Sequence, residues 1–139
     1  MKKFFSYFGL ALMMVLMTGV LTAADTPPTF ELVQGLPTTM HVGETYTAIV
    51  KVTSDTEYNW VAARPSFQYP GKGVVAGPGN GGEREGAGTD AVLHVTYTAK
   101  SDTTQFPNGE DIVYLVVGAR FKGGYVASEQ FQFNVTVLP

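Results

Sequence analysis

Along most of the chain apolar and polar residues alternate singly, which is the two-residue period of a strand with one face buried. Tyr46, Ala48, Val50 and Val52 fall on one face, with Thr45, Thr47, Lys51 and Thr53 on the other. Ala91, Leu93, Val95 and Tyr97 alternate in the same way with His94, Thr96 and Thr98. Near the end Phe131, Phe133, Val135 and Val137 face in, and Gln130, Gln132, Asn134 and Thr136 face out. Shorter stretches predict a first strand over Phe30 to Gln34 and another over Tyr58 to Ala62, with Tyr58, Trp60 and Ala62 inward. Residues 112–117 are apolar at every position, which suits a strand covered on both faces.

Turn chemistry separates these runs. Ser54-Asp55-Thr56 is expected to end the strand that Gly43 opens, and Arg64-Pro65 the next, because proline cannot donate to a central ladder. A short edge segment at Phe67-Gln68-Tyr69 is expected to follow. Of the 21 residues in 70–90, 8 are glycine, and only Val74-Val75 suits a strand there, so this segment is expected to be the main flexible connection. Pro107-Asn108-Gly109 predicts a turn, and Lys122-Gly123-Gly124 a hairpin. No segment beyond the N-terminal run holds a 3.6-residue apolar period, so helices are expected to be scarce. About seven strands at this length predict an all-β fold of two packed antiparallel sheets, with a closed barrel as the alternative.

The N-terminal run has a different character. Lys2 and Lys3 precede an apolar stretch through Leu21, followed by the small residues Thr22, Ala23 and Ala24. This is the pattern of a secretory signal peptide cut after Ala24, leaving 25–139 as the folded domain. The alternative is a membrane anchor, since 4–21 approaches the ~20 residues needed to cross a bilayer. Removal of the leader takes two lysines with it and moves the formal charge from −3 to −5. A chain this acidic lacks the basic surface that phosphate backbones require, so nucleic acid is excluded as a partner. The sequence has no cysteine, so the core must hold without cross-links, and at this size it suffices.

From Val50 to Val116 the pattern resembles an immunoglobulin-like sandwich. Trp60 stands ten residues after Val50, where such domains place a strand-C tryptophan, and residues 110–116 (EDIVYLV) resemble the family's D-x-A-x-Y-x-C approach to strand F. The resemblance makes Tyr114 the tyrosine-corner residue. Val116 stands where the family has cysteine, so the disulfide is missing, and exported fibronectin type III-like bacterial modules are similar in that respect. Such a fold leaves activity to loops and exposed faces.

The residues bearing chemistry are sparse. His41 and His94 make no metal pair by spacing, and no G-x-S-x-G elbow is present. The cluster at 77–82 lacks the ending of a phosphate-binding loop. No catalytic residue, cofactor or transition metal is expected. Acidic residues recur in connections, among them Asp55 and Glu57, and Glu83, Glu85 and Asp90; weak calcium binding is one reading and a solvated surface the other. Asn134-Val135-Thr136 fits a glycosylation sequon and reads equally as an outward strand position.

These observations point to an exported, non-enzymatic binding or assembly module of the cell envelope, recognising a protein or glycan. A carbohydrate-binding module using the exposed aromatics Phe67, Tyr69 and Tyr125 is the alternative, with a hydrolase behind it. In an immunoglobulin-like order Asp55, Glu57 and the Gly123-Gly124-Tyr125 hairpin share one end, the expected recognition surface. Self-assembly by strand addition through 30–34 or 131–137 is a further expectation.

Overall fold

The computed structural model describes residues 27–66, 71–76 and 82–139. The expected leader and the Phe67-Gln68-Tyr69 segment lie outside the described residues, as does 77–81 of the glycine-rich segment. Seven strands account for most of the rest: β1 (Thr29–Gln34), β2 (Thr39–His41), β3 (Thr45–Pro65), β4 (Val74–Val75), β5 (Gly82–Ala99), β6 (Asp111–Phe121) and β7 (Val126–Leu138). The helical content described is one 3-10 turn, Pro107–Gly109. Among the described residues no helix is long and apolar enough to cross a membrane.

The fold is an all-β sandwich whose two layers are joined by strands that pass from one into the other. The first half of β3 lies between β1 and β5, and its second half lies between β6 and β5. β4 extends the first layer beside the end of β5, and β7 and β2 extend the second beside β6. Ladder pairs are antiparallel with one exception, the short parallel pair of β2 with β7, so the sheet is mixed rather than wholly antiparallel.

The crossing point corrects one expectation. Ser54-Asp55-Thr56 does not end a strand; β3 runs through it for 21 residues. The Ser54 hydroxyl donates to the Thr56 carbonyl at 2.7 Å and accepts from the Thr56 N–H at 3.2 Å. That local closure falls within the register shift between Thr53 and Tyr58, so turn chemistry here bends a strand instead of terminating it. Residues 82–90 are a second correction, since they continue β5, with Gly82 to Gly88 pairing along the second half of β3 and Asp90 opposite Thr53 of the first.

One core fills the space between the layers. Ala48, Val50, Val52, Leu93, Val95 and Tyr97 come from the first layer, and Val113, Leu115, Val117, Phe131, Val135 and Val137 from the second. The alternation read in β5 and β7 is observed. β6 differs: Val113, Leu115 and Val117 are buried, but Ile112 is 44% exposed, so its apolar run covers one face of the core and leaves the other open. Met40 of β2, absent from the expected strands, is fully buried.

Polar side chains that enter the interior mostly tie backbone. The Asp111 carboxylate accepts from the N–H groups of Lys72, Gly73 and Val74 at 2.8 to 2.9 Å, holding the approach to β4 against β6. Thr103, fully buried, donates from its hydroxyl to the Gly109 carbonyl and accepts the Val137 N–H, fastening the 100–110 connection to β7.

Candidate functional site

The register of β3 with β6 gathers the expected recognition residues. Tyr58 pairs with Phe121, so Glu57, just before Tyr58, and the Lys122-Gly123-Gly124 turn, just after Phe121, lie at the same end. Asp55 and Glu57 are exposed there. Gly123 and Gly124 both have positive φ, +89° and +88°, a conformation that side chains disfavour and that closes the β6–β7 hairpin. Tyr125 is half-buried, its ring 5.6 Å from that of Phe121, and so lends part of its surface to packing. Phe67 and Tyr69 of the expected aromatic trio lie outside the described residues.

A different aromatic occupies the outer face. Trp60 was expected inside, by a strict period of two through Tyr58, Trp60 and Ala62. β3 instead has a register shift between Tyr58 and Trp60, and one extra residue reverses which face each later side chain takes. Tyr58 is buried, but after the shift Val61 and Ala63 turn inward and Trp60 turns out, half-buried. Opposite it in β6 is Arg120, whose Cζ is 5.1 Å from the centre of the Trp60 ring; Arg64, four residues on along β3, brings its Cζ to 5.6 Å. Both lie within cation–π range. Arg64 and Arg120 thus both converge on the single tryptophan of the chain.

The same row continues across the sheet to Val126 of β7, paired with Arg120 and 44% exposed. The next row toward the middle of the sheet is Ala62, Gly118 and Ser128, all small. The row after it holds Arg64, Val116 and Gln130. The sequence-level signal that locates this site is the pair of arginines with outward parity once the bulge is known, and the period alone hides it.

The remaining candidates are placed separately. His41 is exposed, its Nδ1 3.6 Å from Glu44 Oε1, and His94 is exposed on β5. Thr104 donates from its hydroxyl and its N–H to the Asp102 carboxylate, which holds that carboxyl below its ordinary range. Among the described residues no group of three or more His, Cys, Asp or Glu side chains converges as a metal site would require. Asn134 is engaged on its outward face, accepting from Gln132 at 2.7 Å and donating to Glu110 at 2.8 Å.

No protein-family model matches the chain, and no curated protein matches it. Solved structures of similar architecture include the SrpA adhesin R347E mutant from Streptococcus sanguinis, at TM-score 0.45 and 17% identity, covering 84% of this chain and 57% of that one. Another is self-complemented MyfA, the major subunit of Myf fimbriae from Yersinia enterocolitica, at TM-score 0.45 and 12% identity, covering 82% of this chain and all of the other. The sporulation control protein Spo0M from Bacillus subtilis matches at TM-score 0.42 and 14% identity, over 84% of this chain and 50% of that one. The chain thus spans little more than half the length of the adhesin and half that of the sporulation protein, and these are likenesses of architecture alone.

Proposed function

We propose that the chain is an exported, non-enzymatic β-sandwich that recognises a protein or surface ligand of the cell envelope. The observation that carries this reading is the gathering at one end of Glu57, the Lys122–Gly124 turn and the row Trp60, Arg120 and Val126, which the Tyr58–Phe121 pairing brings side by side. Aromatic and arginine side chains concentrated on an exposed surface are what recognition surfaces select. Export rests on the N-terminal pattern of two lysines, an apolar run and a small-residue ending. The test is retention of the purified protein on isolated cell envelopes: replacing Trp60 and Arg120 together by Ala and Gln abolishes retention, while Lys51→Gln in the other layer does not. Equal retention of both variants overturns the reading.

Assembly by strand addition is a second reading, favoured by β1, which pairs with β3 along one edge and presents Val33 55% exposed at its bulge. Light scattering coupled to size-exclusion chromatography tests it: concentration-dependent oligomers support it, and a strict monomer at high concentration counts against it.

A further inference from the structure

The second layer is left open along part of one edge. In β7 the N–H of Thr136 donates to the Thr38 carbonyl and the Leu138 carbonyl accepts from the Val42 N–H, both on the side of β2. Val137, between them, turns its N–H and carbonyl the other way, to Thr103. Backbone polar groups of a strand point to alternate sides residue by residue, and β7 pairs with β6 from Val126 to Val135 without a register shift. The N–H and carbonyl groups of Val126, Ser128 and Gln130 are therefore aimed away from β6, on the side of β2. β2 reaches only the stretch from Thr136 to Leu138, and among the described residues no strand or loop pairs with these three.

An edge in this state is a template for another strand, and proteins commonly blunt it with charge, proline or a bulge. β1 follows Pro27 and Pro28 and is broken by a register shift between Leu32 and Gln34. The edge of β5 away from β3 carries Glu83, Arg84, Glu85 and Asp90 in its sequence, along a stretch crossed by register shifts. β7 from Val126 to Gln130 has neither proline nor bulge, and its outward residues, Val126, Ser128 and Gln130, are uncharged. Its one charged residue, Glu129, points inward, and it selects a register for self-pairing. With two copies antiparallel and Ser128 opposite Ser128, Val126 meets Gln130, and each of these residues exchanges N–H···O=C bonds with its opposite number. Glu129 then stands opposite the small Ala127 of the second copy. A slip that set Ser128 opposite Gln130 would bring Glu129 against Glu129, and like charges directly opposite are destabilising. The reverse slip carries Gln130 past Val126, where the strand begins, and leaves it unpaired.

We propose that two copies of this chain join along β7 from Val126 to Gln130, antiparallel about a two-fold axis at Ser128, so that their second layers form one continuous sheet. This pairing rests on the strand-addition reading and gives it an edge and a partner. Light scattering on protein purified from cells expressing the full chain is expected to show a concentration-dependent dimer. Ser128→Lys, at an outward and half-buried position, sets two like charges against each other at the axis and is expected to weaken the dimer by about tenfold or more, with the melting temperature of dilute protein unchanged. The chain has no cysteine, so a single introduced thiol reads the register. In Ser128→Cys the two Cα atoms lie about 5.5 Å apart, within the span of a disulfide, and oxidation is expected to crosslink the dimer. Val126→Cys, at a position 44% exposed, has its two Cα atoms about 13 Å apart along the strands and is expected to stay uncrosslinked under the same oxidant. Folded wild-type protein that stays monomeric at high concentration overturns the pairing, as does equal crosslinking of the two cysteine variants. Oligomers that persist in Ser128→Lys, with Ser128→Cys uncrosslinked, leave strand addition standing at another edge and remove β7 alone.

Discussion

Glu129 stands directly opposite Val117 on the face of β7 that turns into the core, with 4% of its surface exposed. Along the strand its inward neighbours are Ala127 and Phe131, both buried. Burial pushes its carboxyl up to about 7, because a charge removed from water is costly without a compensating partner.

The sign of the consequence follows from linkage. The folded state holds the Glu129 proton more tightly than the unfolded chain, whose carboxyl titrates near its ordinary 4.5. The stability associated with the neutral form is therefore fully present below about pH 4.5 and is lost as pH rises through about 7. Glu129→Gln removes this dependence, and above pH 7 it is expected to stabilise the fold by on the order of 1–2 kcal/mol. Urea midpoints of the two proteins measured at pH 5 and pH 8.5 check this, since other titrating groups are common to both.

Asp111 is the opposite case, a buried acid whose carboxylate accepts three backbone N–H groups in succession. Asp111→Ala leaves those donors without their acceptor and is expected to cost about 2–4 kcal/mol. Asp111→Asn, which keeps one acceptor oxygen, is expected to lose less. Chemical denaturation gives the magnitude, and faster amide exchange at Lys72, Gly73 and Val74 locates it.

Alternation exposed the sandwich because each layer has one wet face, and β5 and β7 announce their inward residues at every second position. It failed where strands depart from even pleating. The bulge before Trp60 reverses parity for the rest of β3, so the residue around which the candidate site is built was expected in the core. The Gly-Gly hairpin was legible because positive φ has few chemical solutions. Met40 was not, since a strand of three residues, Thr39–His41, is too short to show a period. β6 misled for another reason: Ile112, Tyr114 and Val116 are apolar yet outward, and periodicity does not separate a doubly covered strand from an apolar outer row.

Tyr97 is fully buried at the β3–β5 pairing, and its hydroxyl has no hydrogen-bond partner among the described residues. Burial raises the pKa of this phenol, so it stays neutral through the physiological range and the cost is that of an unsatisfied dipole. Tyr97→Phe keeps the ring and removes the group. It is expected to raise stability by about 1 kcal/mol, an increase of a few degrees in melting temperature. A loss of stability instead would show that the hydroxyl has a partner in solution.

Gly88 shows why a glycine-rich segment here is strand and not connection. Tyr58 crosses over it to donate its hydroxyl to the Asp90 carbonyl, on the neighbouring strand. A Cβ at position 88 would lie 2.6 Å from the Tyr58 hydroxyl oxygen and 2.9 Å from the ring carbon bearing it. The φ of Gly88 is not among the positive ones, so the requirement is space, not backbone freedom, and a strand glycine marks close approach. Gly88→Ala is therefore expected to push the Tyr58 ring from its place, with a cost of about 1–3 kcal/mol typical of overpacking. Because Tyr58 sits at the register shift that turns Trp60 outward, displacement should also reach the face: Trp60 emission changes in Gly88→Ala under native conditions. The double variant Gly88→Ala with Tyr58→Phe removes the nearest clashing atom and is expected to recover part of the loss. Additive losses in the double variant would place the cost of the methyl group elsewhere than at Tyr58.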